Sequence, residues 1–475
     1  MRRRREARGS TEDEKIKNSG ERTAARDDKG VSEVNGRFRS AADREAVGYR
    51  RRWARILPNV FIVYTISYLD RVNVGTALPA ISQDLHLSPT EAGFIGGVFF
   101  WGYLVSFLAG GWLANRFGAK RVTLFCLVAW GFFAIAGGFT TNFYELVATR
   151  VLLGLSEGPI WSSVSALLSQ WFLKSERGRA FGIWNISIPI GALLAGPLSG
   201  LVLTYSNWHV MLMLEGLPAW IWALVWWRTI PDSPQSATWL TTEERHVLLG
   251  GLAAEQAEFD ATVGAIDWWG MIVHPGVWLL LVAKTFNNIV EYGFTLWLPT
   301  AIKDASALPI GLVGLLSALP YLASAIGIAA VGLSSDRMHE RRLHGAIPLM
   351  ALAVLLYVSA HLGSQSFWVL MLFFTLSGFF LFMTLPLITV MYTAILPRTQ
   401  AIAAIAFSGG IANLFGGFFG PMLVGWMKAR TGDFSLAFSV LALFGLIGGA
   451  LILAVRLPAR TDEIAADGVH AVAGE

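Results

Sequence analysis

The chain has 475 residues, 54% of them hydrophobic and only 15% charged, with 19 Trp, 30 Phe and 49 Gly. Charge so far below the soluble average of about 25% excludes an ordinary soluble domain and points to a bilayer. Residues 1–55 hold 17 of the 37 Lys and Arg and 10 of the 33 Asp and Glu, so they carry +7 and the remainder −3. The basic balance therefore belongs to a tail, and no nucleic-acid-binding face is expected.

Residues 1–52 are polar and poor in apolar side chains, the composition of a disordered tail. They lack the apolar run of a signal peptide, so no cleavage is expected. A solvated cytoplasmic tail is favoured over one that touches anionic lipid. Twelve apolar runs follow, at 56–78, 91–113, 122–139, 145–170, 180–203, 210–230, 277–299, 310–333, 345–362, 366–396, 401–427 and 434–456. About 20 residues at 1.5 Å each cross a bilayer, and the alternation of barrel strands is missing, so the runs read as helices. The expected fold is all-α and polytopic. Pro159, Pro189, Pro197, Pro386 and Pro421 are expected to shape the helices they sit in.

One set of loops carries Arg116, Lys120 and Arg121, then Lys174, Arg177 and Arg179, then Arg337, Arg341 and Arg342, then Arg398; the opposite set carries only Lys303, Lys428 and Arg430. The positive-inside rule makes the first set cytoplasmic, together with both termini. A loop at 231–276 separates spans six and seven, and Thr241-Thr242-Glu243-Glu244 reads there as a capping box opening a surface helix. The loop after span two (Gly111 to Arg121) has a weaker copy after span eight (Gly332 to Arg342), offset by 221 residues. Two six-helix bundles, 53–230 and 277–457, follow from this repeat, with a linker at 231–276 and a C-terminal tail at 458–475. Parallel repeats of this kind place a substrate near the midplane between them.

Charges inside the apolar runs mark the chemistry, because Asp and Arg each cost roughly 2.5–3.5 kcal/mol at the centre of an inserted helix. Tyr68-Leu69-Asp70-Arg71-Val72-Asn73 lies in the first run. The 221-residue offset carries Asp70 onto Glu291, with Lys284, Asn287, Asn288 and Tyr292 nearby. Lys284 and Glu291 suit a polar clasp or ion pair as well as they suit a functional role. In span four, Arg150 and Glu157 are two turns apart on one face. Depths of ~8 Å for Arg150 and ~9 Å for Asp70 would let these two meet. An acid–base pair with a further acid in a wet cavity suits proton-coupled anion binding: arginine holds a carboxylate and a desolvated acid takes the proton. Mere neutralisation of Asp70 by Arg150 is the plainer alternative. Asn185 and Asn413 are amides at membrane depth, and Tyr64, Tyr103 and Trp184 are aromatics that could line a cavity. The single cysteine, Cys126, permits no disulfide. The motifs of a metal or phosphate-binding site are missing, so no cofactor or metal is expected.

The Gly111–Arg121 loop resembles the loop signature of the major facilitator superfamily, with Asn115 in place of the usual Asp and Ala119 in place of a usual basic residue. The Tyr68–Asn73 stretch, Arg150-x6-Glu157 and the Pro-Asp-Ser-Pro run after span six resemble its anion:cation symporter branch. That resemblance implies the major facilitator fold, functional monomers in a bacterial inner membrane, and import of a small organic carboxylate with protons by alternating access. It also implies Asp70 and Glu157 as protonation sites, Arg71 as the carboxylate anchor with Tyr68 and Tyr103, and Arg150 as the partner of the acids. Ile188 stands where sugar-acid carriers of the branch have Gln, which favours a less hydroxylated or aromatic acid. Anion exchange and export remain open, and a membrane enzyme or ligand sensor is a more distant alternative.

Overall fold

The computed structural model describes residues 49–262, 267–362 and 366–457. The tail at 1–48, the C-terminal tail at 458–475 and residues 263–266 of the linker lie outside them. Among the described residues there are helices and no strands. Ten helices, or pairs of helical segments in line, are long and apolar enough to cross a membrane. Two more long helices complete the twelve: span one (Tyr49–Asp84) and span seven (Pro275–Asp304). Both fall short on apolarity for one reason, because they carry the Asp70–Asn73 cluster and the Lys284–Glu291 cluster.

The other spans are two (Pro89–Phe117), three (Ala119–Gly137), six (Trp208–Thr229), eight (Ile310–Met338), nine (Arg342–Leu362), eleven (Arg398–Thr431) and twelve (Ser435–Ala454). Spans four, five and ten are each two segments: Phe143–Glu157 with Pro159–Trp171, Lys174–Asn185 with Ser187–Tyr205, and Phe367–Leu381 with Thr384–Ile395. Proline accounts for these breaks. Pro159 opens the second segment of span four, and Pro189 and Pro386 each follow a break by a few residues, where the missing N–H leaves a carbonyl of the preceding turn unbonded. The linker helix (Thr242–Thr262) starts with the expected capping box: Thr241 Oγ1 accepts from Glu244 N at 3.1 Å, and Thr241 N donates to the Glu244 carboxylate at 2.8 Å.

The linker helix is tied to the first half. Arg177 reaches Glu255 at 3.1 Å, Lys174 reaches Glu258 at 3.0 Å and Arg51 reaches Glu244 at 3.3 Å. Arg52, fully buried, anchors the start of span one by donating to Glu176 at 2.9 and 3.1 Å and to the Trp171 carbonyl at 2.6 Å.

The two halves meet mainly along spans two and eleven, five and eight, and one and seven. The closest approaches lie at the end of the molecule far from Tyr49 and Leu457, called the distal end below; the opposite end is called the terminal end. Only glycine fits there: a Cβ on Gly314 would sit 2.3 Å from the Gly196 carbonyl oxygen, one on Gly196 2.4 Å from that of Gly314, and one on Gly75 2.6 Å from that of Leu296. Small residues bring backbones into direct contact and are the usual packing device between membrane helices. The segments Pro159–Trp171 and Lys174–Asn185 pack within the first half, and Thr384–Ile395 within the second.

Candidate functional site

Below the distal seam lies a narrow cavity lined by Tyr68, Arg71 and Val72 of span one, Gly96, Phe99 and Phe100 of span two and Arg150 of span four. Tyr292, Thr295 and Leu296 of span seven and Pro421 of span eleven close it. It is small, with room for about one or two waters, so the halves are drawn together around it.

Consecutive residues of a helix are about 100° apart, and span one uses that angle to send Asp70 and Arg71 to different partners. Arg71 Nε pairs with Glu157 Oε2 at 3.0 Å, and Ser67 Oγ donates to the same oxygen at 2.8 Å. The Arg71 guanidinium also lies over the rings of Tyr103 at 4.7 Å, Phe99 at 5.4 Å and Tyr64 at 5.9 Å. Such rings stabilise a desolvated cation. Asp70 accepts from Trp130 Nε1 at 2.9 Å on one oxygen and from Asn73 Nδ2 at 3.2 Å on the other. Glu157 of span four is a charged neighbour of Asp70. Glu157 is fully buried, and its Oε1 accepts from no donor.

The expected meeting of Asp70 with Arg150 is absent: no ion pair within 4.0 Å joins Arg150 to any acid among the described residues. Arg150 instead lies over Phe99 at 5.5 Å, its Nε buried without a partner, and it borders the cavity. Equal depth leaves Asp70 and Arg150 facing each other as charges without ion-pair contact, and Arg150 also borders the cavity. Glu291 is fixed from both halves, accepting from Tyr68 OH at 3.2 Å and from Asn287 Nδ2 at 3.4 Å. The Lys284–Glu291 ion pair is likewise absent within 4.0 Å; the half-buried Lys284 ammonium lies toward the terminal end beside Gly409. Asn288 donates to Asn413 Oδ1 at 2.9 Å, to which Tyr292 OH also donates at 3.5 Å, an amide contact between spans seven and eleven. Asn185 donates back to Phe181 of its own helix at 2.8 Å and has no partner from another span.

Two side chains at the site escaped sequence reasoning. Trp130 of span three is the indole donor to Asp70, and nothing separates it by type from the other tryptophans. Glu215 of span six carried a readable signal, an acid inside the apolar run 210–230. Its two oxygens accept from Ser199 Oγ at 3.0 Å and from Asn73 Nδ2, so Asn73 bridges Glu215 and Asp70.

Similarity to known proteins agrees with this architecture. A "Quinolone resistance transporter" of Acinetobacter baumannii is 29% identical over 402 residues, covering 83% of this chain and 92% of that protein. The "Hexuronate transporter" of Bacillus subtilis (strain 168) is 26% identical over 389 residues, covering 80% of this chain and 89% of that protein. Among solved structures, a bacterial homologue of the human lysosomal transporter Spinster, in an inward-facing and occupied conformation, superimposes with a TM-score of 0.70. It has 14% identity and covers 85% of this chain and 96% of that one, so it shares the fold. The family model of the Major Facilitator Superfamily matches residues 60–343 and again 286–472. Twelve spans in two halves, a polar cluster where the halves meet and this match over most of the sequence place the protein in the membrane as a member of the major facilitator superfamily.

Proposed function

We propose that this protein is a secondary transporter of an organic carboxylate, importing it with protons by alternating access between its two halves. One observation carries the reading: the buried Arg71–Glu157 ion pair borders a central cavity, with the acid Asp70 beside Arg71 on span one. Arg71 cannot serve Glu157 and a substrate carboxylate equally. A proton on Glu157 cancels its negative charge, weakens the hold on Arg71 and frees it for the substrate. Substrate and proton then favour each other's binding, which is what symport needs. Arg150, a second guanidinium at the cavity with no acid within 4.0 Å among the described residues, adds a cation for the same anion. Asp70 and Glu157 are thus the proton acceptors, Arg71 the anchor, and Tyr68 and Tyr103 its neighbours, Tyr68 reaching across to Glu291.

Transport is by rocking of the halves. The distal glycine seam is shut. With the basic loops and termini in the cytoplasm, this is a state closed to the outside. The aromatic lining (Phe99, Phe100, Tyr292) suits an acid with an apolar or aromatic body. Together with the relative named for quinolone resistance, it also favours a second reading, outward transport of an aromatic carboxylate. Purified protein in liposomes separates the two. A thermal-shift screen over hexuronates, hydroxy-dicarboxylates and aromatic carboxylates selects the acid, since a ligand bound to the folded state stabilises it. Symport predicts accumulation of that acid when the opposite side is made acidic, lost in Asp70→Asn and Glu157→Gln. Accumulation that persists in both variants would sink the proton assignment, and accumulation against the proton gradient would establish antiport export.

A further inference from the structure

Counting charges in the first half leaves one acid over. Asp70, Glu157 and Glu215 face Arg71 and Arg150, and Arg71 is taken by Glu157. Glu215 sits seven residues into span six, ~10 Å along its axis, half-buried at membrane depth. Among the described residues no cation lies within 4.0 Å of it; its hydrogen-bond donors are the neutral Ser199 and Asn73. The charged groups facing it from neighbouring spans are Asp70 of span one and, at longer range, Arg150 of span four. Two ionised carboxylates on one amide, in a low-dielectric interior, would repel each other with no counter-ion in contact.

A second observation identifies what is missing. Asn73 is fully buried, and while its Nδ2 serves both acids, its Oδ1 accepts from nothing. A buried amide oxygen without a donor is rare and needs a partner. A carboxyl proton on the neighbouring acid supplies that donor.

We propose that Glu215 is a further proton-binding residue of the transport cycle, sharing one proton with Asp70 across Asn73. The pair then holds a single negative charge: Asp70 is the member beside the cavity residues, and Glu215 is the store behind it. The balance is closed. A hydronium from cavity water gives its proton to the Asp70 carboxylate and leaves as water. Handing that proton to Glu215 turns the Asp70 carboxyl back into a carboxylate and the Glu215 carboxylate into a carboxyl, and no other bond changes. When Glu215 is protonated, its O–H can donate to Asn73 Oδ1 while Asn73 Nδ2 donates to Asp70, so every polar atom of the bridge is satisfied.

The inference rests on the proton-coupled reading for its place in the cycle, but protonation itself can be read without transport. Infrared difference spectra of the purified protein between acid and alkaline buffer should show carboxylic C=O bands. One of these should vanish in Glu215→Gln, persist in Glu157→Gln and return at a shifted frequency in Glu215→Asp. In liposomes Glu215→Gln should cut accumulation driven by a pH gradient at least threefold and flatten its pH profile, with Glu215→Asp recovering part of both. Carboxylic bands in Glu215→Gln identical to those of the unaltered protein would overturn the proposal. So would an unaltered pH profile. If Glu215→Gln does not fold, the band shift in Glu215→Asp decides alone. An unaltered protein that shows the Glu215 band yet no response to a pH gradient refutes proton coupling and the role of Glu215 in the cycle together, and leaves only its protonation established.

Discussion

Replacing Glu157 by Gln should make substrate binding tighter at neutral and alkaline pH and remove its pH dependence. In the present structure the guanidinium of Arg71 is held at 3.0 Å by a fully buried carboxylate, whose bonded oxygen is held in turn by Ser67 at 2.8 Å. An incoming carboxylate must displace that contact. A hydrogen bond to a charged partner contributes about 1.5–3 kcal/mol net, and each 1.4 kcal/mol is about tenfold in affinity. The amide of Gln keeps the size and can still accept from Ser67, but it holds the cation only as a neutral group. Affinity should therefore rise by about tenfold or more where Glu157 is ionised, and by little where it is already protonated. The sign follows: in the unaltered protein affinity falls as pH rises, whereas in Glu157→Gln it stays level. Calorimetric titration of the acid selected by the thermal-shift screen, at pH 5 to 9, measures both curves. If the variant binds more weakly at every pH, or keeps the slope of the unaltered protein, the competition between Glu157 and substrate for Arg71 is wrong.

Trp130→Phe removes the indole donor 2.9 Å from Asp70; the ionised acid loses a partner, so the profile of pH-driven uptake should move to higher pH, which transport across a pH series reads directly. Gly314→Val puts a side chain where a Cβ alone would lie 2.3 Å from the Gly196 carbonyl oxygen. The distal seam should then fail to shut, and transport should stop while the protein still folds, with alkylation of cysteines introduced beside the seam becoming fast. Arg52→Ala leaves Glu176 and the Trp171 carbonyl without their buried donor. It should destabilise the protein by about 3–5 kcal/mol, the range for breaking a buried pair by removing one partner, as chemical unfolding in detergent would show.

The twelve spans were legible because burial in hydrocarbon forces long apolar runs, and each run overlaps the helix it predicted. The division of labour between neighbouring charges was legible only in part. Depth can be counted along a helix, so Asp70 and Arg150 could be placed at one level, with Glu157 two turns beyond Arg150. Azimuth cannot be counted across helices of unknown rotation, so the direct contacts of Asp70 with Trp130 and Asn73 could not be read from depth, and Arg150 stays a charge neighbour without ion-pair contact. The breaks in spans four, five and ten were hidden for another reason: hydropathy stays high through a kink, and proline alone does not say whether a helix bends or ends. Glu215 stood in plain view, but span six offered no second charge to draw attention to it.

The distal seam is closed by peptide backbone against peptide backbone, through Gly75, Gly196 and Gly314, with no ionisable group at those contacts. A latch made of dispersion contacts is indifferent to acidity and to salt. It can neither sense the proton gradient nor be weakened by it. Whatever pH does to this molecule must enter through the charges at its centre, which leaves the latch free to open and shut at the same strength on every turn of the cycle.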